Sequence, residues 1–290
     1  KMAKNFNPTI LFQEIFFFAA TGALAVLTAK SASAVPTSAI ISDSAAGIAW
    51  WEFLLFFSVA TTVFLLFGKF LRRPWPLRVL FLTALFFGSL ISLGAFFGDV
   101  AAPLAAVLIA AYVIRPFILL HNVVLAFALA GVAASIGAAL APPAAIAVLV
   151  ALSVYDIVAV HFTRHMVTML REMLSAGAVF AMIFPRDWRN YGGLFGREMR
   201  RQSERAEKAA SAGDFAMLGS GDFVFPAMLA VSALSSSGTA AWLVLVFSLF
   251  GLAAMHLIFI RRGVSRPMAA LPPLAAFAII GYFMARLLGF

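Results

Sequence analysis

Asp156 and Asp222 are carboxylates placed where carboxylates are costly. Asp156 ends an apolar run as Val154-Tyr155-Asp156, and Asp222 closes Gly219-Ser220-Gly221-Asp222 just ahead of another. An acidic side chain at the centre of a membrane helix costs about 2.5–3.5 kcal/mol on insertion scales, so one held there points to function. Two carboxyls at close range cannot both ionise, and the pair shares a proton. The charged member can then activate a water as general base while the neutral member hydrogen-bonds a carbonyl oxygen. Gly219 and Gly221 leave the backbone beside Asp222 bare, which leaves room for an extended substrate or an irregular helix start. A Gly-x-Gly spacing alone says little, because small residues are ordinary at helix contacts in membranes. Beside two matched acids it becomes specific.

The elements that must position these groups follow from composition. The chain has 290 residues, 63% hydrophobic and 11% charged, with a mean hydropathy of +1.02. A soluble domain is nearer 45–50% apolar and about 25% charged, so this is an integral membrane protein. There is no cysteine, which excludes a disulfide framework, a thiolate nucleophile and a Cys-based metal site. Nine apolar segments can be drawn, near 9–29, 50–71, 77–97, 101–119, 122–141, 144–164, 216–234, 239–260 and 267–288. Most reach the roughly 20 residues that a helix needs to cross the hydrocarbon. Backbone groups in lipid must satisfy one another, so the expected fold is an all-α membrane protein of nine transmembrane helices. The fourth and fifth segments are short, and meet at Arg115-Pro116 through His121-Asn122. The first is longer than a signal peptide and is expected to be a retained span.

Charge sets the orientation. Lys1, Lys4, Lys69, Arg72, Arg73, Arg78, Arg115, the stretch from Arg164 to Lys208, and Arg261, Arg262 and Arg266 fall in alternate loops. The opposite loops are almost free of Lys and Arg. By the positive-inside rule the amino terminus is cytoplasmic and the carboxyl terminus outside. The net charge of +9 is therefore a topology signal and implies no nucleic-acid partner. Residues 1–185 form a six-helix part ending with the Asp156 helix. Residues 186–214 form a charged cytoplasmic linker, and residues 215–290 a three-helix part with Asp222. Glu14 and Glu52 lie near span ends and are expected to snorkel to the interface.

Depth pairs the aspartates. Asp156 lies eight residues before Arg164, and Asp222 eight residues after Asp214. At 1.5 Å per residue each is roughly 12 Å in from a cytoplasmic flank. They ride on neighbouring antiparallel helices, so they can face each other.

With these residues in place, the chain resembles the presenilin and signal peptide peptidase family. Tyr155-Asp156 resembles its YD motif and Gly219-Ser220-Gly221-Asp222 its GxGD motif. Ala269-Ala270-Leu271-Pro272 is similar to its Pro-Ala-Leu turn, with Ala269 where the family has proline. The resemblance implies an intramembrane aspartyl protease that needs no cofactor or metal and cuts single-span transmembrane substrates within the bilayer. It implies Asp156 and Asp222 as the catalytic pair. Tyr155, Gly219, Gly221, Ala270, Leu271 and Pro272 would flank substrate. The cytoplasmic linker matches the presenilin branch, and the short loops resemble an archaeal presenilin homologue in the cell membrane. Oligomeric state is open.

Other readings compete less well. His161 and His165, with Glu172, have metal-like spacing but lack a His-Glu-x-x-His motif and lie among arginines. Ser220 and His256 could form a serine–base dyad, but this leaves both aspartates unexplained. Paired intramembrane acids also serve ion channels and proton-coupled transporters, although those need further polar groups along a path.

Overall fold

A computed structural model describes residues 8–33, 49–56, 58–59, 75–160, 177–193, 215–262 and 269–290, with only the backbone at 259–262. His161, His165, Glu172 and the stretch Arg197 to Lys208 lie outside these residues. The helices are α1 (Pro8–Ser33), α2 (Trp75–Phe97), α3 (Ala101–Ile114), α4 (Ile118–Ala139), α5 (Pro142–Val158), α6 (Ser220–Ser232), α7 (Gly238–Arg262) and α8 (Leu271–Leu287). Residues 50–56 are also helical, and Glu52 reaches back to the Ala49 N–H at 3.1 Å. That closes the first turn as a capping residue does. Four described stretches are long and apolar enough to cross a membrane: Pro8–Ala32, Trp75–Ile114, Ile118–Ala139 and Gly238–Ile258.

Sequence explains several ends. Arg115 precedes Pro116 and takes a non-helical conformation (φ −138°, ψ 84°), which stops α3. The ring of a proline crowds the residue before it and disfavours the helical form there. Gly98 turns the chain between α2 and α3 at φ +53°, where a side chain would be strained. Pro142 opens α5 in the first turn, where a missing N–H costs nothing.

The core is centred on α6. Phe223, Val224 and every residue from Pro226 to Ser232 are buried, because α6 packs against α1, α4, α5, α7 and α8. α2 and α4 approach through glycine: a Cβ at Gly88 would lie 2.5 Å from the Ala128 carbonyl oxygen, and one at Gly131 would strike the Gly88 carbonyl. Such close backbone contact replaces the hydrophobic drive that lipid cannot supply.

Three expectations are corrected. The fold is not purely α: strands β1 (Ala181–Pro185) and β2 (Phe215–Gly219) pair antiparallel, with Ala181 opposite Gly219 and Pro185 opposite Phe215. The seventh apolar segment therefore begins as a strand and turns helical only at Ser220. Second, the fourth and fifth segments are divided earlier than drawn: α3 ends at Ile114 and α4 starts at Ile118, so His121 and Asn122 are buried inside its first turns. Third, Glu14 does not snorkel. It is 5% exposed, and its Oε2 lies 3.2 Å from His256 Nδ1 on α7.

Candidate active site

Asp222 sits at the start of α6. Gly219 is the N-cap in an extended conformation (φ −63°, ψ 148°), and Asp222 lies in the first helical turn. Its carboxylate folds back to accept the Gly219 backbone N–H, the reach a third-position acid makes in a capping box. A Cβ at 219 would lie 3.2 Å from Asp222 Oδ2 and press on the carboxylate. Four residues on, Pro226 lacks the N–H that would bond the Asp222 carbonyl.

Asp156 occupies the last turn of α5, before a wider π turn at 159–160. Its Oδ2 accepts the Leu271 backbone N–H at 3.2 Å. Leu271 is the first residue of α8, after Ala270 as N-cap, and Pro272 completes the opening turn. An N–H in the first turn of a helix has no partner within that helix, so it is available to a carboxylate. The Asp156 and Asp222 carboxylates lie close enough for their charges to interact. Two acids from α5 and α6 and two backbone amides, from Gly219 and Leu271, thus converge.

The other sequence-selected residues divide. Tyr155 is 53% exposed and points away from the packed interior. Gly221 and Ser220 line an apolar cavity of about 240 Å³ together with Phe53, Leu85, Ala128 and Phe180. Ser220 thus opens onto that cavity, while His256 is occupied by Glu14. Ala270 is half-buried, Leu271 buried and Pro272 half-buried at the α8 turn. Sequence reasoning passed over Gln13, His121 and Asn122, which bond the β1 strand. Their only signal was polarity within apolar surroundings.

A membrane-embedded helical chain with two half-buried carboxylates brought together from neighbouring helices is the class that the fold and site define. Residues 14–289 match the family model described as signal-peptide peptidase, presenilin aspartyl protease, and the chain belongs to that family. Its function is intramembrane aspartyl proteolysis, which sets aside the channel and transporter readings. Two solved structures of a presenilin family intramembrane aspartate protease are similar, one in space group C222 and one in P2. The first has a TM-score of 0.63 at 22% identity, covering 96% of this chain and 99% of that one. The second has a TM-score of 0.60 at 22% identity, covering 98% and 100%. At that identity the likeness speaks for the fold. No curated protein matches the chain.

Proposed function

We propose that Asp156 and Asp222 are the catalytic pair and that the protein cuts single-span transmembrane helices inside the bilayer. The observation that carries this is their convergence: the acids come from different helices, 66 positions apart in sequence, yet their charges interact. The pair holds one proton between its two carboxyls. The ionised member takes a proton from water, whose oxygen attacks the scissile carbonyl carbon. The protonated member gives its proton to the carbonyl oxygen, forming a tetrahedral diol. Collapse of the diol returns a proton to the departing amide nitrogen and regenerates the pair. Water is the only co-reactant.

The Leu271 N–H fixes one carboxylate and the Gly219 N–H the other, so neither must be ordered when substrate arrives. Gly219, Gly221 and the Ala270-Leu271-Pro272 turn leave backbone open to substrate beside the pair, and Tyr155 flanks it from the lipid side. Nine spans with a cytoplasmic amino terminus place the pair toward the cytoplasm of the cell membrane. In this arrangement residues 1–185 and 215–290 each supply one aspartate, on either side of the charged linker 186–214.

Purified protein in lipid with a single-span test substrate is the test. Asp156→Ala and Asp222→Ala are each expected to lower cleavage by at least about 10²–10⁴-fold, the usual worth of a general acid or base. Both should stay folded, since each loses a partly exposed side chain. Substantial cleavage by either variant would refute the pair.

A further inference from the structure

The hairpin that ends on Asp222 has one edge built by helices. In β1 the even-numbered residues turn their backbone groups to β2, and the pairing continues past the sheet, where the Ser220 N–H donates to the Phe180 carbonyl at 3.0 Å. The odd-numbered residues then face the other way, as antiparallel geometry requires. On that side side chains take the place of a third strand. Asn122 Nδ2 donates to the Ile183 carbonyl at 2.7 Å, and Asn122 Oδ1 accepts the Ile183 N–H at 3.0 Å. His121 Nε2 lies 3.0 Å from the Ala181 carbonyl. Gln13 Nε2 donates to the Pro185 carbonyl at 3.1 Å, while its Oε1 accepts the Tyr191 hydroxyl at 3.0 Å.

The chemistry of each contact is fitted to its place. Pro185 has no N–H, so a single donor completes its edge. A carbonyl can only accept, so His121 carries its proton on Nε2, and its Nδ1 lies 3.2 Å from the Tyr112 hydroxyl. Ile183 offers both a donor and an acceptor, and an asparagine amide supplies both complements from one planar group. Asn122 is 0% exposed, and Gln13 and His121 are each 1% exposed, so water does not replace them.

We propose that Asn122 is a positioning residue for proteolysis. Its amide locks β1 to α4, and the β1–β2 register then fixes Gly219 and the Asp222 carboxylate that folds onto it. His121 and Gln13 hold the two ends of the same edge with one bond each, so the two-bond centre is the decisive point. The proposal rests on Asp222 being catalytic, as argued above.

Full-length Asn122→Ala and Asn122→Asp variants in lipid test it, with Asp156→Ala and Asp222→Ala alongside. In Asn122→Ala, kcat should fall about tenfold to a hundredfold, the scale of a ~1 Å misplacement, with KM within about twofold. Deuterium uptake should quicken at 181–185 and 215–219 and stay unchanged in α7 and α8. The Asn122→Asp carboxyl donates to Ile183 only when protonated, so its kcat relative to the unsubstituted protein should climb as pH falls. Unchanged kcat in Asn122→Ala, unchanged uptake at β1, a flat ratio across pH, or global unfolding of both variants would each overturn it. Cleavage surviving in an aspartate variant would instead remove the catalytic pair, while hairpin uptake would still report whether Asn122 holds the strand.

Discussion

At the scale of single residues, the two glycines beside Asp222 are not equivalent. A Cβ at Gly219 would press on Asp222 Oδ2 at 3.2 Å, whereas one at Gly221 would meet the Phe225 ring at 3.1 Å. A ring can rotate away, but the carboxylate is held by the Gly219 amide and cannot move without leaving its place. Gly219 has a negative φ that alanine tolerates, so Gly219→Ala should fold with a loss of only about 1 kcal/mol for an N-cap change. With Asp222 catalytic as proposed, the kcat of this variant should fall by roughly tenfold or more, since small displacements at reacting atoms are costly. Gly221→Ala should lose less, and side-by-side kcat values for the two variants check the order. The acids themselves were legible in the sequence because ionisable groups in apolar runs are rare. The amide from Leu271 was not, because which backbone donor meets a carboxylate depends on how α8 packs against α5.

Tyr191 offers a second test at this scale. Burial pushes its phenol above the ordinary value near 10. The folded chain therefore keeps a proton that the unfolded chain loses. Its stabilising effect is complete below about pH 10 and declines above it, by at most ~1.4 kcal/mol per pH unit. Tyr191→Phe deletes the bond to Gln13, worth about 1 kcal/mol at neutral pH, and with it that alkaline decline. Unfolding titrations near pH 8 and pH 11 should show the deficit of the variant shrinking at the higher pH. A constant deficit would contradict the buried phenol.

At the scale of elements, helices were legible and strands were not. Apolar runs of sufficient length can only be helical in lipid, so α1, the α2–α3 stretch, α4 and α7 follow from length. β1 is Ala-Met-Ile-Phe-Pro with all five residues buried, so it lacks the period-two alternation that betrays a half-exposed strand. β2 runs without a break into α6 and reads as its first turn. The boundary is set by a partner distant in sequence, and no local signal carries that. The start of α4 was drawn late for the same reason: two polar residues after Arg115-Pro116 read as the edge of a span until β1 is present to bond them. The α2–α4 contact is testable by substitution. Gly88→Ala and Gly131→Ala each insert a methyl against backbone that cannot rotate aside, and should destabilise by about 1–3 kcal/mol as overpacked sites do. Gly94→Ala, with nothing within 4 Å, is the control and should be neutral or slightly stabilising, given the helix preference of alanine. Thermal unfolding of the three variants decides it.

At the scale of the whole molecule, the charged loops and the position of the site make one argument. Gln13 near the start of α1 and His121 and Asn122 near the start of α4 bond β1, Tyr112 near the end of α3 bonds His121, and Asp156 near the end of α5 acts on Asp222 just past β2. In the nine-span arrangement each of these helix ends lies on the cytoplasmic side, so the hairpin and the acid pair share that side. The opposite end carries the Gly98–Val100 turn, where Asp99 is exposed, while the Arg186–Asn190 stretch is exposed beside the hairpin. The chain has no cysteine, so single cysteines can report sidedness without background. In sealed cells, Asp99→Cys should react with an impermeant maleimide, and Asn190→Cys only after the membrane is opened. Both positions lie away from the pair, so each variant should keep cutting, which guards against misinserted protein. Reaction of Asn190→Cys in intact cells, with activity retained, would turn the molecule over and place the acid pair toward the outer face. On the proposed mechanism, cleavage by the correctly oriented protein should also fall at both acidic and alkaline extremes, because a catalytic pair works only while it holds one proton. A rate flat over several pH units would break that link between the shared proton and the chemistry.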